Sequence, residues 1–320
     1  MTNLGESFLK QVNSIVGRSA YSNIHLLNIA KLNGNIITYN NWKSDYSEFM
    51  FSLPENGFLG LGGAENSGDI GSDISEKTAT LLTVAGRLHL SRAQVAQMQQ
   101  SSLGVNISPE DFIANQMHGL LRQIEGVLAC GQAGRYNRDD DPLKKDTTDS
   151  DYTIKGLLFD SNVQTIAGGT GEDDDVTAFG DFYDTMVKIQ ETMVDGGVDT
   201  TNVFVFMDTS TMSTMLKSKS TNIWEVDQIK KSFPGWTFLV NNHLLATNLT
   251  SNHYIWAIAP KDTLGAPTFR VVETYPLSAT PVGGGTLQSN DMYEWIVAWK
   301  GGVVVRNGYG IVKTGALTIA

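Results

Sequence analysis

The residues best suited to metal binding or acid–base chemistry are five histidines, His25, His89, His118, His243 and His253, and they are scattered along the chain. None stands in an H-E-x-x-H arrangement, whose helical spacing would aim two imidazoles at one zinc, so each is expected to be a surface or core histidine. A nucleophile elbow G-x-S-x-G and a Walker-type phosphate loop are both missing, and Gly169-Thr170-Gly171 lacks the third glycine of a dinucleotide fingerprint. Two acidic groups, Asp139 to Asp141 and Glu172 to Asp175, offer the oxygen ligands that calcium takes. They lack the spacing and closing glutamate of an EF-hand, and read as solvated loops. Paired carboxylates for glycoside hydrolysis are defined by separation in space, and nothing singles out a pair. The tryptophans Trp42, Trp224, Trp236, Trp256, Trp295 and Trp299 sit in or beside strand-like runs, where packing explains them better than a sugar platform. Cys130 is the only cysteine, which excludes an internal disulfide and a cysteine metal site; at the end of a helix it reads as a small buried hydrophobe. The expectation is a chain with no catalytic residues, no cofactor and no metal.

The 320 residues suffice for one large or two modest domains, and 41% apolar with 18% charged residues is the composition of a folded protein. Lys and Arg total 23 against 34 Asp and Glu, a net charge of −11 that opposes phosphate neutralisation and argues against a nucleic-acid grip. It suits a container wall along which nucleic acid slides. No run approaches the ~18–20 apolar residues that cross a bilayer, and the N-terminus lacks the basic-then-apolar layout of a signal peptide, so no membrane role and a reducing cytoplasm are expected.

The elements follow from periodicity. In 1–40, Phe8, Val12, Ile15 and Val16, then Tyr21, Ile24, Leu26, Leu27 and Ile29, mark an amphipathic stretch that suits a core edge or an arm on a neighbour equally. Residues 46–53 alternate as a strand ended by Pro54; a tract containing Gly57, Gly60, Gly62, Gly63, Gly68 and Gly71 follows, and 78–90 lead back. Strand, glycine-rich tip and returning strand predict a protruding hairpin. The helix 108–130 is marked at both ends, by Ser108, Pro109, Glu110 and Asp111 at its start and Gly131 after its end. Its stripe is Ile113, Met117, Leu120, Leu121, Ile124, Val127 and Leu128, along about 33 Å. Beyond it, 154–159 read as a strand and Gly168 to Asp175 as an exposed loop. A helix is expected from about Thr177 to Gly196, then a buried strand at 203–207, short helices at 209–216 and 223–230, and an extended 238–240. Strands close the chain at 254–259, 269–274, 292–299, 302–306 and 309–312. The fold class is α+β.

This order resembles the major capsid proteins of tailed bacteriophages, the Hong Kong-ninety-seven-like shell fold. Leu88-His89-Leu90-Ser91-Arg92-Ala93-Gln94-Val95 is similar to that family's strand ending in a serine and turning into a short helix. Phe112 through Gly131, with Ile124-Glu125-Gly126-Val127-Leu128, resembles its spine helix. Val203-Phe204-Val205-Phe206-Met207-Asp208-Thr209-Ser210-Thr211 resembles a strand running into a helix. Trp299 to Arg306 and Tyr309 to Val312 resemble the closing strand pair.

The resemblance implies an N-terminal arm at 1–38, an extended hairpin loop at 39–90, a peripheral domain with the spine helix at 91–160 completed by 291–320, and an axial domain at 161–290. It implies a structural protein, the head protein of a virion, that self-assembles in hexamers and pentamers into an icosahedral shell around double-stranded DNA without sequence-specific binding. Inter-subunit contacts are expected from Phe8 and Ile15 of the arm and Phe49, Phe51, Leu53, Leu59 and Leu61 of the hairpin. Further partners would be a separate scaffolding protein, because the chain starts close to the presumed arm, together with a portal and decoration proteins; assembly would take place in the host cytoplasm. Lys43 and Lys77 lie near the hairpin, but no crosslinking pair is identified. The negative charge implies assembly that strengthens with salt. Two alternatives are an encapsulin-type bacterial compartment shell and an α+β hydrolase.

Overall fold

The computed structural model describes residues 25–39, 45–52, 73–93, 117, 120–121, 123–129, 156–169, 175–240, 253–282, 292–315 and 317–319. Two mixed sheets dominate. The first, in the order β1-β12-β13-β4, comprises β1 (Ile36–Thr38), β4 (Leu82–Ser91), β12 (Phe269–Pro281) and β13 (Met292–Val305), antiparallel except for the parallel β1–β12 pair. The second, β10-β7-β11-β14-β5, is built from β5 (Gln164–Ile166), β7 (Val203–Met207), β10 (Trp236–Val240), β11 (Ile255–Ile258) and β14 (Ile311–Thr314).

The second sheet is apolar on both faces because both are covered. Side chains alternate along a strand. Phe206, Trp256, Ile258 and Ile311 point into a main core shared with the first sheet, with α1 (His25–Leu32) and with the helix α2, described at 117, 120–121 and 123–129. Their sequence neighbours Val205, Met207, Ile255, Ala257 and Val312 face a second core under α3 (Asp181–Asp195), α4 (Thr209–Lys217) and α5 (Glu225–Ser232). Phe206 and Trp256 stack at 4.1 Å between centroids in the shared core. The mixed helix and strand content agrees with the α+β expectation.

The stripe on α2 is where periodicity placed it. Met117, Leu120, Leu121, Ile124, Val127 and Leu128 are all buried, while Ile113, Cys130 and the helix ends lie outside the described residues. Glu125 on the same helix is buried as well and accepts from the Leu26 backbone N–H, tying α1 to α2. In the described part of the expected arm, 25–38, Leu26, Leu27, Ile29 and Ala30 are buried, and β1 is a strand of the first sheet.

Several expectations are corrected. Residues 157–159 form a 3-10 turn rather than a strand, and the consecutive Leu157 and Leu158 are both buried in the main core. Gly168 and Gly169 are buried, not in an exposed loop: a Cβ on Gly168 would run into Leu317, and the Gly169 N–H donates to Thr185 Oγ1 at 2.8 Å. The helix expected from Thr177 starts at Asp181, whose carboxylate folds back to accept from the Thr177 and Ala178 backbone N–H groups; 175–176 are the strand β6 (Asp175–Val176), paired with β15 (Thr318–Ile319). Residues 223–224 form β9 (Ile223–Trp224), paired with β8 (Lys219–Ser220), before α5 begins.

The two strands expected at 292–299 and 302–306 are one. β13 runs through Gly301 and Gly302, and the end of β3 (Asp73–Thr80) lies against it: a Cβ on Gly302 would stand 2.5 Å from the Thr80 carbonyl oxygen. The expected closing pair is also split, since β13 belongs to the first sheet and β14 to the second. Sheet membership thus crosses the boundary at 290: β12 pairs with β13, and β14 with β11.

Candidate functional site

The hairpin leaves the body at one charged junction. β2 (Asp45–Ser52) and β3 pair antiparallel from Asp45↔Thr80 to Ser52↔Asp73, so the strand and its return are both present. At the root, Tyr39, Tyr46, Ala79, Leu81, Val272 and Val304 form a small cluster over the first sheet. Alternation turns Glu48 to the same side as Tyr46. Arg270 of β12 donates to Glu48 Oε2 at 2.9 Å, Tyr46 Oη donates to the same oxygen at 3.2 Å, and Arg306 Nε lies 3.1 Å from Oε1 as an ion pair off the hydrogen-bond direction. The Glu48 side chain is only 9% exposed.

The opposite side of β2 faces solvent, and Phe49 is 65% exposed there. Lys77 pairs in register with Glu48, and Glu76 with Phe49. Of the other expected contact residues, Phe51 lies in β2 without a described side chain, and Phe8, Ile15, Leu53, Leu59 and Leu61 lie outside the described residues.

Further exposed apolar side chains collect at the two ends of α3. Near its start, the Tyr183 N–H donates to Glu225 Oε1, and Ser218 Oγ donates to the other oxygen, joining α3, α5 and the end of α4. Exposed Leu216, Ile223 and Trp224 lie on these segments, and Lys219 Nζ sits 5.1 Å from the centre of the Trp224 ring. A cleft of about 340 Å³ between Phe179, Phe182, Thr214 and Lys217 opens beside them. At the far end, Gly196 packs against Tyr309 so closely that no Cβ would fit, and Thr263 N–H donates to the Gly197 carbonyl. Val194, Leu264 and Tyr309 are exposed on these segments. Periodicity does not reveal either group, because each gathers isolated exposed apolar residues from separate helices, a short strand and turns.

The chemistry-bearing residues do not converge. His253 Nδ1 is 2.9 Å from Asp208 Oδ2, both buried, and Asp208 also accepts from Thr211 N and Oγ1 as the N-cap of α4. With the paired backbone hydrogen bonds between His253 and Leu317, this network ties the end of β7 to the C-terminal segment. His25 is half-buried against Phe206, and burial lowers its pKa. His89 is exposed on β4, whereas His118, His243 and the acidic run 139–141 lie outside the described residues. Of the second acidic group only Asp175 is described, in β6. No group of three His, Cys, Asp or Glu suited to a metal occurs among the described residues, and none of their helices is long and apolar enough to cross a membrane. Trp236, Trp256, Trp295 and Trp299 are buried, as packing residues should be; Trp224 is 41% exposed, and Trp42 is not described.

No family model and no curated protein matches the sequence. Solved structures do match along nearly the whole chain. The virus-like particle from Pyrococcus furiosus superposes with a TM-score of 0.59 at 8% identity, over 96% of this chain and 99% of that one. This chain has the Hong Kong-ninety-seven-like shell fold. A structure from Gordonia phage Cozz shares the fold with a TM-score of 0.56 at 12% identity, over 91% of this chain and 86% of that one. The holo-SrpI encapsulin complex from Synechococcus elongatus shares it with a TM-score of 0.51 at 9% identity, over 89% and 85%. At such identities the likeness is one of fold, and it extends to a virus-like particle, a phage structure and an encapsulin complex alike.

Proposed function

We propose that this protein is a capsid shell subunit that self-assembles, as hexamers and pentamers, into the icosahedral head enclosing the genome of a tailed double-stranded DNA phage. The observation that carries the reading is the hairpin: its root is fixed to the body by Glu48, while its outer face holds Phe49 in water. A large apolar side chain on a projecting two-stranded ribbon gains nothing in a monomer and about 25 cal/mol per Å² when a neighbour covers it. Phe51, Leu53, Leu59 and Leu61, with Phe8 and Ile15 of an arm, would extend that contact. Permanent interfaces of this kind bury about 2,000–5,000 Å².

In this reading 161–290 meet around the symmetry axes as an axial domain, and 91–160 with 291–320 form the periphery. A scaffolding protein, a portal and decoration proteins are the further partners, and the DNA is enclosed without sequence-specific contacts. The role is structural, without catalysis, and the protein resides in the virion after assembly in the host cytoplasm.

Sedimentation velocity and electron microscopy of the purified protein, at low and moderate salt, test the proposal. Shells, tubes or rings of five or six support it; a compact monomer under all conditions counts against it. The similarity to an encapsulin complex favours one second reading, a bacterial compartment shell. The contents of native particles decide between the two: nucleic acid for a head, a cargo enzyme for a compartment.

A further inference from the structure

We infer that the root of the hairpin is a binding site for a small free oxyanion, of the phosphate or sulfate kind, held by Lys77, Arg270 and Arg306. Such a site goes beyond the shell reading, since it serves a phage head and a compartment alike.

The charges at the root do not balance. Arg270 on β12 and Arg306, just after β13, both face Glu48 of β2. Lys77 stands directly opposite Glu48 on β3, and paired residues of neighbouring strands share a face of the ribbon, so its half-buried side chain leaves β3 on that same side. Glu76 is exposed on the other face, opposite Phe49. Three cations thus stand on the side of one carboxylate, in a chain whose net charge is −11.

The hydrogen bonding is incomplete as well. A guanidinium carries five N–H donors. Arg270 spends one on Glu48 Oε2, which also accepts from Tyr46 Oη. Anchored through that oxygen, the carboxylate leaves Oε1 3.1 Å from Arg306 Nε but out of line, and both atoms are buried without a hydrogen bond among the described residues. A buried charged donor without an acceptor is costly. A tetrahedral oxyanion offers acceptors in several directions at once, and N–H···O bonds between charged groups are the strong ones. The Arg306 and Arg270 side chains are 19% and 29% exposed, open to an ion but recessed from a broad surface such as a DNA duplex. A bound anion would link β3, β12 and the end of β13, and stiffen the exit of the hairpin.

Isothermal titration calorimetry of the full chain with sodium phosphate, against sodium chloride of equal ionic strength, tests the site. The expected result is saturable binding of phosphate, accompanied by slower hydrogen exchange across β2 and β3. K77Q and R306Q should each weaken the affinity about tenfold or more. R87Q, on β4 opposite Ile296 toward the other end of β13, should leave it unchanged. Circular dichroism checks that each variant is folded, and K77Q carries the test alone if R306Q is not. Three results would each overturn the site: a parent chain without saturable binding, equal weakening by all three substitutions, or displacement of the phosphate by a short DNA duplex. None of them depends on whether the chain forms shells, so this site and the shell reading fail separately.

Discussion

Glu48 and Arg270 are 222 positions apart in sequence, and their side chains meet at 2.9 Å. One belongs to the hairpin, the other to β12 in the first sheet, and Arg306 at the end of β13 approaches the same carboxylate. Two arginines around one carboxylate, largely out of water, set the direction in which the hairpin leaves the body. The apolar contacts beneath it are few, so the charged junction carries much of the directional information.

Removing that carboxylate should loosen the hairpin more than the fold. In E48A two partly buried guanidinium groups lose their partner, a cost of about 1–3 kcal/mol because both arginines keep access to water. Hydrogen exchange should accelerate across β2 and β3 while β7 and β11 stay protected. Equal acceleration in all four strands would show that Glu48 supports the whole fold.

Glu273 offers a second handle, through pH. Its carboxyl is buried, which raises its pKa, with the Trp299 indole N–H donating to it at 2.7 Å and the Lys31 charge opposing that rise. The folded chain therefore holds this proton more tightly than the unfolded one does. Stability contributed by the neutral acid is present below the ordinary glutamate pKa and is lost as pH rises through the higher folded value. Urea denaturation from about pH 4 to about pH 7 should show E273Q, which keeps a carbonyl for Trp299, losing less stability across that window than the parent. Parallel curves for the two proteins would remove Glu273 from the account.

Much of this architecture is legible one element at a time. The α2 stripe and β7 follow from periodicity, because each presents apolar residues at the spacing its geometry demands. Contacts between elements are not legible. Alternation on β2 would ordinarily turn Phe49 inward and Glu48 outward; the structure reverses this because Arg270 and Arg306, both remote in sequence, wait beneath the strand. Glu125 likewise lies buried in a helix because α1 brings the Leu26 N–H to it. Of the sequence-derived contact residues only Phe49 has a described side chain, and the two ends of α3 come together from segments with no common pattern.

Gly302 lies where β13 passes closest to the end of β3. Its missing Cβ makes room for the Thr80 backbone oxygen, a neighbour that cannot rotate away. G302A should destabilise the chain by at least about 2 kcal/mol, in the range of core overpacking, although alanine suits a strand better than glycine does. A melting temperature equal to the parent's would mean that β3 and β13 separate freely at this crossing.

The sharpest separation of folding from assembly is available at Phe49. The side chain is 65% exposed and lies opposite Glu76 across the ribbon, so replacing it removes almost no intramolecular packing. F49S should keep the parental melting curve, with a stability change within about 0.5 kcal/mol. A neighbour that buries the ring loses about 1.5–3 kcal/mol per contact when it is gone. In a shell that loss recurs at every subunit, so a modest change per contact shifts the assembly threshold steeply. F49S should therefore remain monomeric or stop at small rings at concentrations where the parent forms shells, as read by sedimentation velocity. F49L, which keeps most of the apolar surface, should fall between the two. If F49S assembled like the parent, the outer face of β2 would not be an interface, and the hairpin would have to act through its glycine-rich tip alone.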